Sequence, residues 1–179
     1  MATHKATIVI IKLLDDRGRS VEQKARLEVS HYTSSDNADQ AEQLFFADPT
    51  RDNLNKGDEI ILPALTWSTT VWPVIQMGLV PVYVDCDLNT FNMDSNKIED
   101  AISDKTRAIF SVPIYGNPCE MDDMISICKK YNLMLIEDCC ESMGAKYRNK
   151  YVGSFGRVAS FSFYYSHHIT TLEGGICVT

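Results

Sequence analysis

The sequence contains no run approaching the roughly 18 uninterrupted apolar residues that a membrane-spanning helix requires, so no such span is expected. Its early apolar run, ATIVIIKLL, is short, carries Lys12 and lacks a small-residue cleavage pattern before DDRGRS. A secretory leader is therefore not expected, and a cytoplasmic location is. Positive charge is in deficit. Seventeen Lys and Arg against 24 Asp and Glu leave a formal charge of −7. That balance disfavours nucleic acid and anionic membrane as partners, while a local pocket for a small anion remains open. Cysteine is present without its usual signatures: none of the six forms a C-x-x-C pair, and Cys139 and Cys140 are adjacent. Neither a zinc site nor a disulfide framework is expected; buried thiols in a reducing compartment are. Internal repeats and low-complexity linkers are also missing.

What the chain has is 45% hydrophobic residues in 179, enough for a real core in one domain or part of a larger one. Residues 1–40 read as an atypical N-terminal segment, with Ser34 or Ser35 able to cap a helix running through Phe46. From Gly57 the pattern sharpens. Glu59 to Leu62 is an apolar strand ended by Pro63. STTVWPVIQMGL follows as a helix, with Ser68 as N-cap and Gly78 as stop. VPVYVDCD is the next strand. NMDSNKIEDAISDKT reads as a helix capped by Asp94 or Ser95, with Ile98, Ala101 and Ile102 on one face.

RAIFSVPIYGNP is a third strand, ending in a turn at Gly116, Asn117 and Pro118. MDDMISICKKYN is an amphipathic helix. Met124, Ile127, Cys128 and Tyr131 form its apolar stripe, with acids in the first turn and lysines in the last, as the helix dipole favours. LMLIED is a fourth strand, short and wholly apolar until its acids. A glycine-rich stretch leads to a final strand in which Phe161, Phe163 and Tyr165 alternate with Ser162 and Tyr164. Alternating strands and helices predict an α/β protein: a mainly parallel open sheet with helices on both faces. Ligands on such sheets bind beyond the carboxyl ends of the strands.

The chemistry-bearing residues collect at those ends. Asp138 follows a buried strand, where an unpartnered carboxylate is costly. It reads either as a helix N-cap or as the partner of a protonated heterocyclic nitrogen. Trp67, just after a strand, reads either as core packing or as a platform for a flat ring. Ser162 could bond a phosphate, though alone it says little. His167 and His168 lack an evident third ligand, so a metal is not expected. An imidazole at a strand end suits general acid/base work, and a solvated pair in a loop is the other reading.

Together these residues carry a pattern. GDEIILPALTWSTT, PVYVDCDLNTFNMD, TRAIFSVPIYGNP, LMLIEDCCESMGAKYRNKYVGSFG and FSFYYSHHITTLEGG match, in order and spacing, the DegT/DnrJ/EryC/StrS sugar aminotransferases. The chain from Gly57 to Thr179, about two thirds of its length, resembles that family. The resemblance implies the aspartate aminotransferase type of fold, with residues 41–179 an incomplete large domain of a fold-type I pyridoxal-phosphate (PLP)-dependent transferase. It implies that Asp138 pairs with the pyridine nitrogen, Trp67 stacks on the ring, Glu141 lies near the ring hydroxyl and Ser162 binds the phosphate.

The family's Schiff-base lysine stands five residues after that serine, and here the position is His167. An imidazole has no primary amine, so the cofactor would be held without a covalent link, most naturally as pyridoxamine phosphate (PMP). His167 would move the proton at the cofactor's 4′ carbon and protonate a departing hydroxyl. SHHIT followed by EGG is similar to the family's nucleotide-sugar 4-keto-6-deoxyhexose 3-dehydratases. The implied partners are a nucleotide-linked keto-deoxysugar and, as in full-length members, a second copy of the chain. A sugar aminotransferase would keep the lysine.

Two features depart from the family. Its members cradle the phosphate with a serine-glycine-serine/threonine turn, where this chain reads TSSDNADQAEQ, without the glycine and with Asp36. The family's remaining large domain and its C-terminal small domain fall outside the matched stretch. A truncated, catalytically inactive piece is therefore carried as the alternative expectation.

Overall fold

The computed structural model describes residues 54–172 and 174–178. The expected helix through Phe46 and the phosphate turn around Asp36 lie outside the described residues. Six strands form one sheet: β1 (Glu59–Pro63), β2 (Val80–Val84), β3 (Thr106–Ser111), β4 (Met134–Asp138), β7 (Val158–Ser162) and β8 (Gly175–Val178). Their spatial order is β2-β1-β3-β4-β7-β8. Every pairing is parallel except that of β8, which runs antiparallel to β7 with Ser162 opposite Gly175. A two-stranded hairpin, β5 (Lys146–Tyr147) and β6 (Lys150–Tyr151), forms within the glycine-rich stretch.

The strands read as continuous apolar runs because both faces are covered. Successive side chains alternate between faces. Ile60, Leu62, Ala108, Phe110 and Ile136 pack on one side with Val74 of α1 (Ser68–Gln76). Ile61, Ile109 and Leu135 pack on the other with Met121, Met124, Ile127 and Cys128 of α2 (Met121–Tyr131). Each fully buried Ile or Leu contributes on the order of 1.5–3 kcal/mol, so this two-sided core outweighs local preference in deciding where the strands lie. The mainly parallel sheet with helices on both faces is the predicted architecture. Strand order reverses at β1, with β2 added on one side and β3 on the other, which puts a switch point at the carboxyl edge of the central strands.

The second helix forms where expected, but Tyr131 of the predicted apolar stripe is exposed and donates its hydroxyl to Glu99. Asp122 and Asp123 stand in the helix's first turn, Lys129 and Lys130 in its last, and left-handed Asn132 (φ 53°) closes it. Other elements differ. The predicted helix after Asn92 is a pair of 3₁₀ turns, Ser95–Lys97 and Glu99–Ala101. Asp94 caps the first by accepting from the Asn96 amide, but Asn96, Ser95 and Asp100 favour turns over helix, and Ile102 is already extended. Buried Ile98, with Ala101 and Ile102 against the core, still supplies the expected apolar face. In α1, Trp67 occupies the cap position without a side-chain bond, and Ser68 is the first helical residue.

The last parallel strand stops at Ser162 rather than at Tyr165. There the Tyr164 amide turns back to the Ser162 hydroxyl at 3.1 Å, while the Phe163 amide extends the β7–β8 register by one bond to the Gly174 carbonyl. The six cysteines are free, with Cys119, Cys128 and Cys139 buried. Burial pushes the thiols of Cys119 and Cys128 up to about 12. Burial first, then the charge of Glu137, pushes that of Cys139 up as well. Thiolate chemistry at these three is suppressed.

Candidate active site

β4 ends on two adjacent carboxylates, Glu137 and Asp138, both buried. The strand's alternation sends them to opposite faces, and each finds different partners. Glu137, fully buried, accepts from three backbone amides of the turn that leads into β7: Gly153 at 2.7 Å, Phe155 at 2.7 Å and Gly156 at 2.6 Å. Gly156 lets that turn close down, because a Cβ there would stand 2.5 Å from the Leu135 carbonyl oxygen. The carboxylate is thus consumed by structure.

Asp138 is differently placed. Its Oδ2 accepts from the Thr70 hydroxyl of α1 at 2.8 Å, and its Oδ1 from the Cys140 amide at 3.1 Å. No helix follows Asp138, so the N-cap reading fails; the chain goes into a turn. A carboxylate has room for about four donors, so this one can take another.

The remaining candidates sit around the same edge. Trp67, at the exit from β1, is 75% exposed, so the core-packing reading fails and a ring face is open. Glu141, three residues past β4, accepts from the Tyr115 amide at 3.2 Å and so links the exits of β4 and β3. Tyr115 itself is left-handed (φ 51°) and exposed. Ser162, buried at the end of β7, accepts from the Tyr164 amide and keeps its own hydroxyl proton to donate. β7 is in register with β4, Ser160 opposite Asp138, so Ser162 lies two residues beyond the aspartate on the neighbouring strand.

His167 lies in a turn pinched at its base by Phe163, whose amide donates to Gly174 and whose carbonyl accepts from Thr171. The His167 amide bonds the Tyr164 carbonyl at 3.0 Å, and its ring is 6.1 Å from that of Tyr164. It is half-buried, while His168 is exposed. Among the described residues no group of three or more His, Cys, Asp or Glu is arranged to hold a metal, and no helix is long and apolar enough to cross a membrane.

Residue-by-residue reading missed three supports. Thr70 donates to Asp138 and accepts from Thr66, four residues earlier across the start of α1. Glu137 pins the 153–156 turn. Asn92, buried, pins the loop after β3 by donating to the carbonyls of Asn117 (3.0 Å) and Pro118 (3.1 Å) and accepting from the Ile114 amide (2.9 Å). The only local signal was polarity where burial was due, as in the second acid of LMLIED.

A buried strand-end acid with spare acceptor capacity, an open indole and a buried hydroxyl at one sheet edge suit a flat, anionic heterocycle. Comparison with known proteins agrees. The DegT/DnrJ/EryC1/StrS aminotransferase family model matches residues 22–179. The chain is 48% identical over 136 residues to GDP-4-keto-6-deoxy-D-mannose 3-dehydratase of Escherichia coli O55:H7, covering 76% of this chain and 34% of that protein. It is 44% identical over 126 residues to GDP-perosamine synthase of Escherichia coli O157:H7, covering 70% and 35%. Its fold superposes, with a TM-score of 0.75 and 44% identity, on GDP-4-keto-6-deoxymannose-3-dehydratase with a trapped PLP-glutamate geminal diamine, covering 80% of this chain and 38% of that one. The chain spans about a third of the length of the curated relatives it matches. With the family match running over most of its length, the chain belongs to the DegT/DnrJ/EryC1/StrS aminotransferase family.

Proposed function

We propose that this chain carries the cofactor half of a nucleotide-sugar 3-dehydratase, one that removes the 3-hydroxyl of a nucleotide-linked 4-keto-6-deoxyhexose for a deoxysugar of surface polysaccharide. The observation that carries the reading is His167 standing five residues after Ser162, where the family's amine-bearing lysine is expected. The relative named as a GDP-4-keto-6-deoxy-D-mannose 3-dehydratase makes the GDP sugar the first substrate to try.

The residues fit PLP and PMP. Asp138 has acceptor capacity left after Thr70 and Cys140, and would accept the proton of the ring nitrogen. Trp67 would stack on the ring, Ser162 would donate to the phosphate, and Glu141 would lie beside the ring hydroxyl. The amine form of the cofactor would supply a nucleophile for the sugar ketone and the two electrons that replace the hydroxyl, its nitrogen leaving as ammonia. His167 would take the proton from the 4′ carbon and return one to the leaving hydroxyl, which would depart as water. An imidazole can do both because its two protonation states are close in energy near neutral pH. It cannot form the covalent link that transamination through a lysine uses.

We further propose that the functional unit is a homodimer working in the cytoplasm. The exposed Trp67, Tyr115, Tyr165 and Leu172 near the site support a covering partner.

Mass analysis of the product tests the function. With PMP and a GDP-linked 4-keto-6-deoxyhexose, a dehydratase yields a keto sugar lighter by one oxygen. A sugar carrying an amine with every hydroxyl retained would establish an aminotransferase instead. Unchanged substrate would establish the inactive piece.

A further inference from the structure

Asp138, at the end of β4, is addressed by a chain of two hydroxyls. α1 follows β1 after a short connection, and its first turn carries Thr70, which is completely buried. The Thr66 hydroxyl donates to Thr70 Oγ1 at 2.9 Å, and Thr70 donates to Asp138 Oδ2 at 2.8 Å, across 68 residues of sequence. A hydroxyl has one proton. Because Thr70 accepts from Thr66, its own proton goes to Asp138. The other carboxylate oxygen faces the Cys140 amide, which can only donate. Both oxygens of Asp138 are therefore met by donors, and the group is held as an acceptor with its plane fixed. The amino end of α1 adds partial positive charge nearby, and that turn carries no acid to offset it.

We propose that Thr70, backed by Thr66, is a positioning residue for the cofactor: it holds Asp138 as an oriented acceptor, so that the ring nitrogen of the bound heterocycle keeps its proton. This rests on the cofactor reading above. A protonated ring nitrogen is what lets the ring draw electrons from the 4′ carbon, so the relay acts on the reaction through Asp138 without touching substrate. Thr70→Val keeps the shape and removes the hydroxyl. Asp138 Oδ2 then loses its donor, the carboxylate competes more strongly for the shared proton, and its plane is free to turn. Thr70→Ser restores the donor. Thr66→Val removes only the second link, which strengthens the first by polarisation.

The test uses the whole 179-residue chain with PLP labelled by ¹⁵N in its ring, read by NMR, alongside absorbance titrations and thermal unfolding. The wild type is expected to give the shift of a protonated ring nitrogen. Thr70→Val is expected to move it toward the unprotonated value and to weaken retention roughly tenfold or more, as loss of a hydrogen bond to a charged group predicts. Thr70→Ser returns both to the wild-type values, and Thr66→Val falls between. A purely structural threonine would lower the unfolding midpoint and leave the ¹⁵N shift of the bound cofactor alone. Wild-type shift and retention in Thr70→Val overturn the relay while the cofactor reading stands. If Thr70→Val does not fold, an unmoved ¹⁵N shift in Thr66→Val overturns it. No retention by the wild type sinks the cofactor reading and the relay together.

Discussion

His167→Lys is expected to turn a site that holds its cofactor without a bond into one that traps it. After incubation with PLP and reduction by borohydride, peptide mass spectrometry should find a pyridoxyl group on residue 167 of the variant and none on the wild type. The reason is chemical. On the proposed reading His167 takes the place of the family's amine; it is itself half-buried, in an otherwise exposed turn whose base is fixed by the Phe163 bonds to Gly174 and Thr171. The same variant should lose deoxygenation by roughly 10²–10⁴-fold, the range general acid/base groups contribute, because a primary amine committed to the cofactor no longer shuttles a proton. Failure to label residue 167 would mean that it does not face the cofactor's aldehyde. Label on the wild type would mean that another amine does the work, and the dehydratase reading would lose its main support.

The second large effect concerns folding. Glu137→Ala is expected to destabilise the protein by on the order of 3 kcal/mol or more, since it orphans three backbone donors in a buried turn. That is a large part of the total stability of a typical domain. Glu137→Gln should cost less, about 1–3 kcal/mol. An amide oxygen can still serve Phe155 and Gly156, which share Oε1, while the amide nitrogen meets the Gly153 donor at Oε2. Denaturant unfolding of the three proteins checks the order. Alanine within 0.5 kcal/mol of wild type, the range of an inert surface change, would show that the turn does not depend on the carboxylate.

These two carboxylates also show how far the sequence carries. Apolar runs of strand length, separated by helical stripes, are local signals, and they sufficed for the five parallel strands, α1 and α2, but not for the antiparallel edge strand β8. Asp138 was visible as a candidate because an acid at the end of LMLIED is unexpected in any buried strand. Its support was not visible, because the donor that holds it, Thr70, comes from 68 residues away. Glu137 stands in the same hexapeptide and has the opposite role, set by amides 16 to 19 residues downstream. The 92–106 stretch misleads for a different reason. Its apolar spacing is helical, but Asn, Ser and Asp bond their own backbone and close it into 3₁₀ turns, with Met93 and Ile98 still buried in the core. At Phe161 to Tyr165 the alternation is real, yet the strand ends early because Ser162 turns its hydroxyl on the amide of Tyr164. That hydroxyl is the one assigned to the phosphate, so the local rule breaks where the site begins.

The central claim is that this sheet edge holds the cofactor through Asp138 and not through a lysine. An absorbance spectrum, taken after PLP or PMP is added to the chain and the excess removed, tests it most directly. The account predicts that cofactor is retained, that borohydride leaves none of it covalently attached, and that Asp138→Ala abolishes retention. A spectrum without cofactor, or retention unchanged in Asp138→Ala, would contradict it.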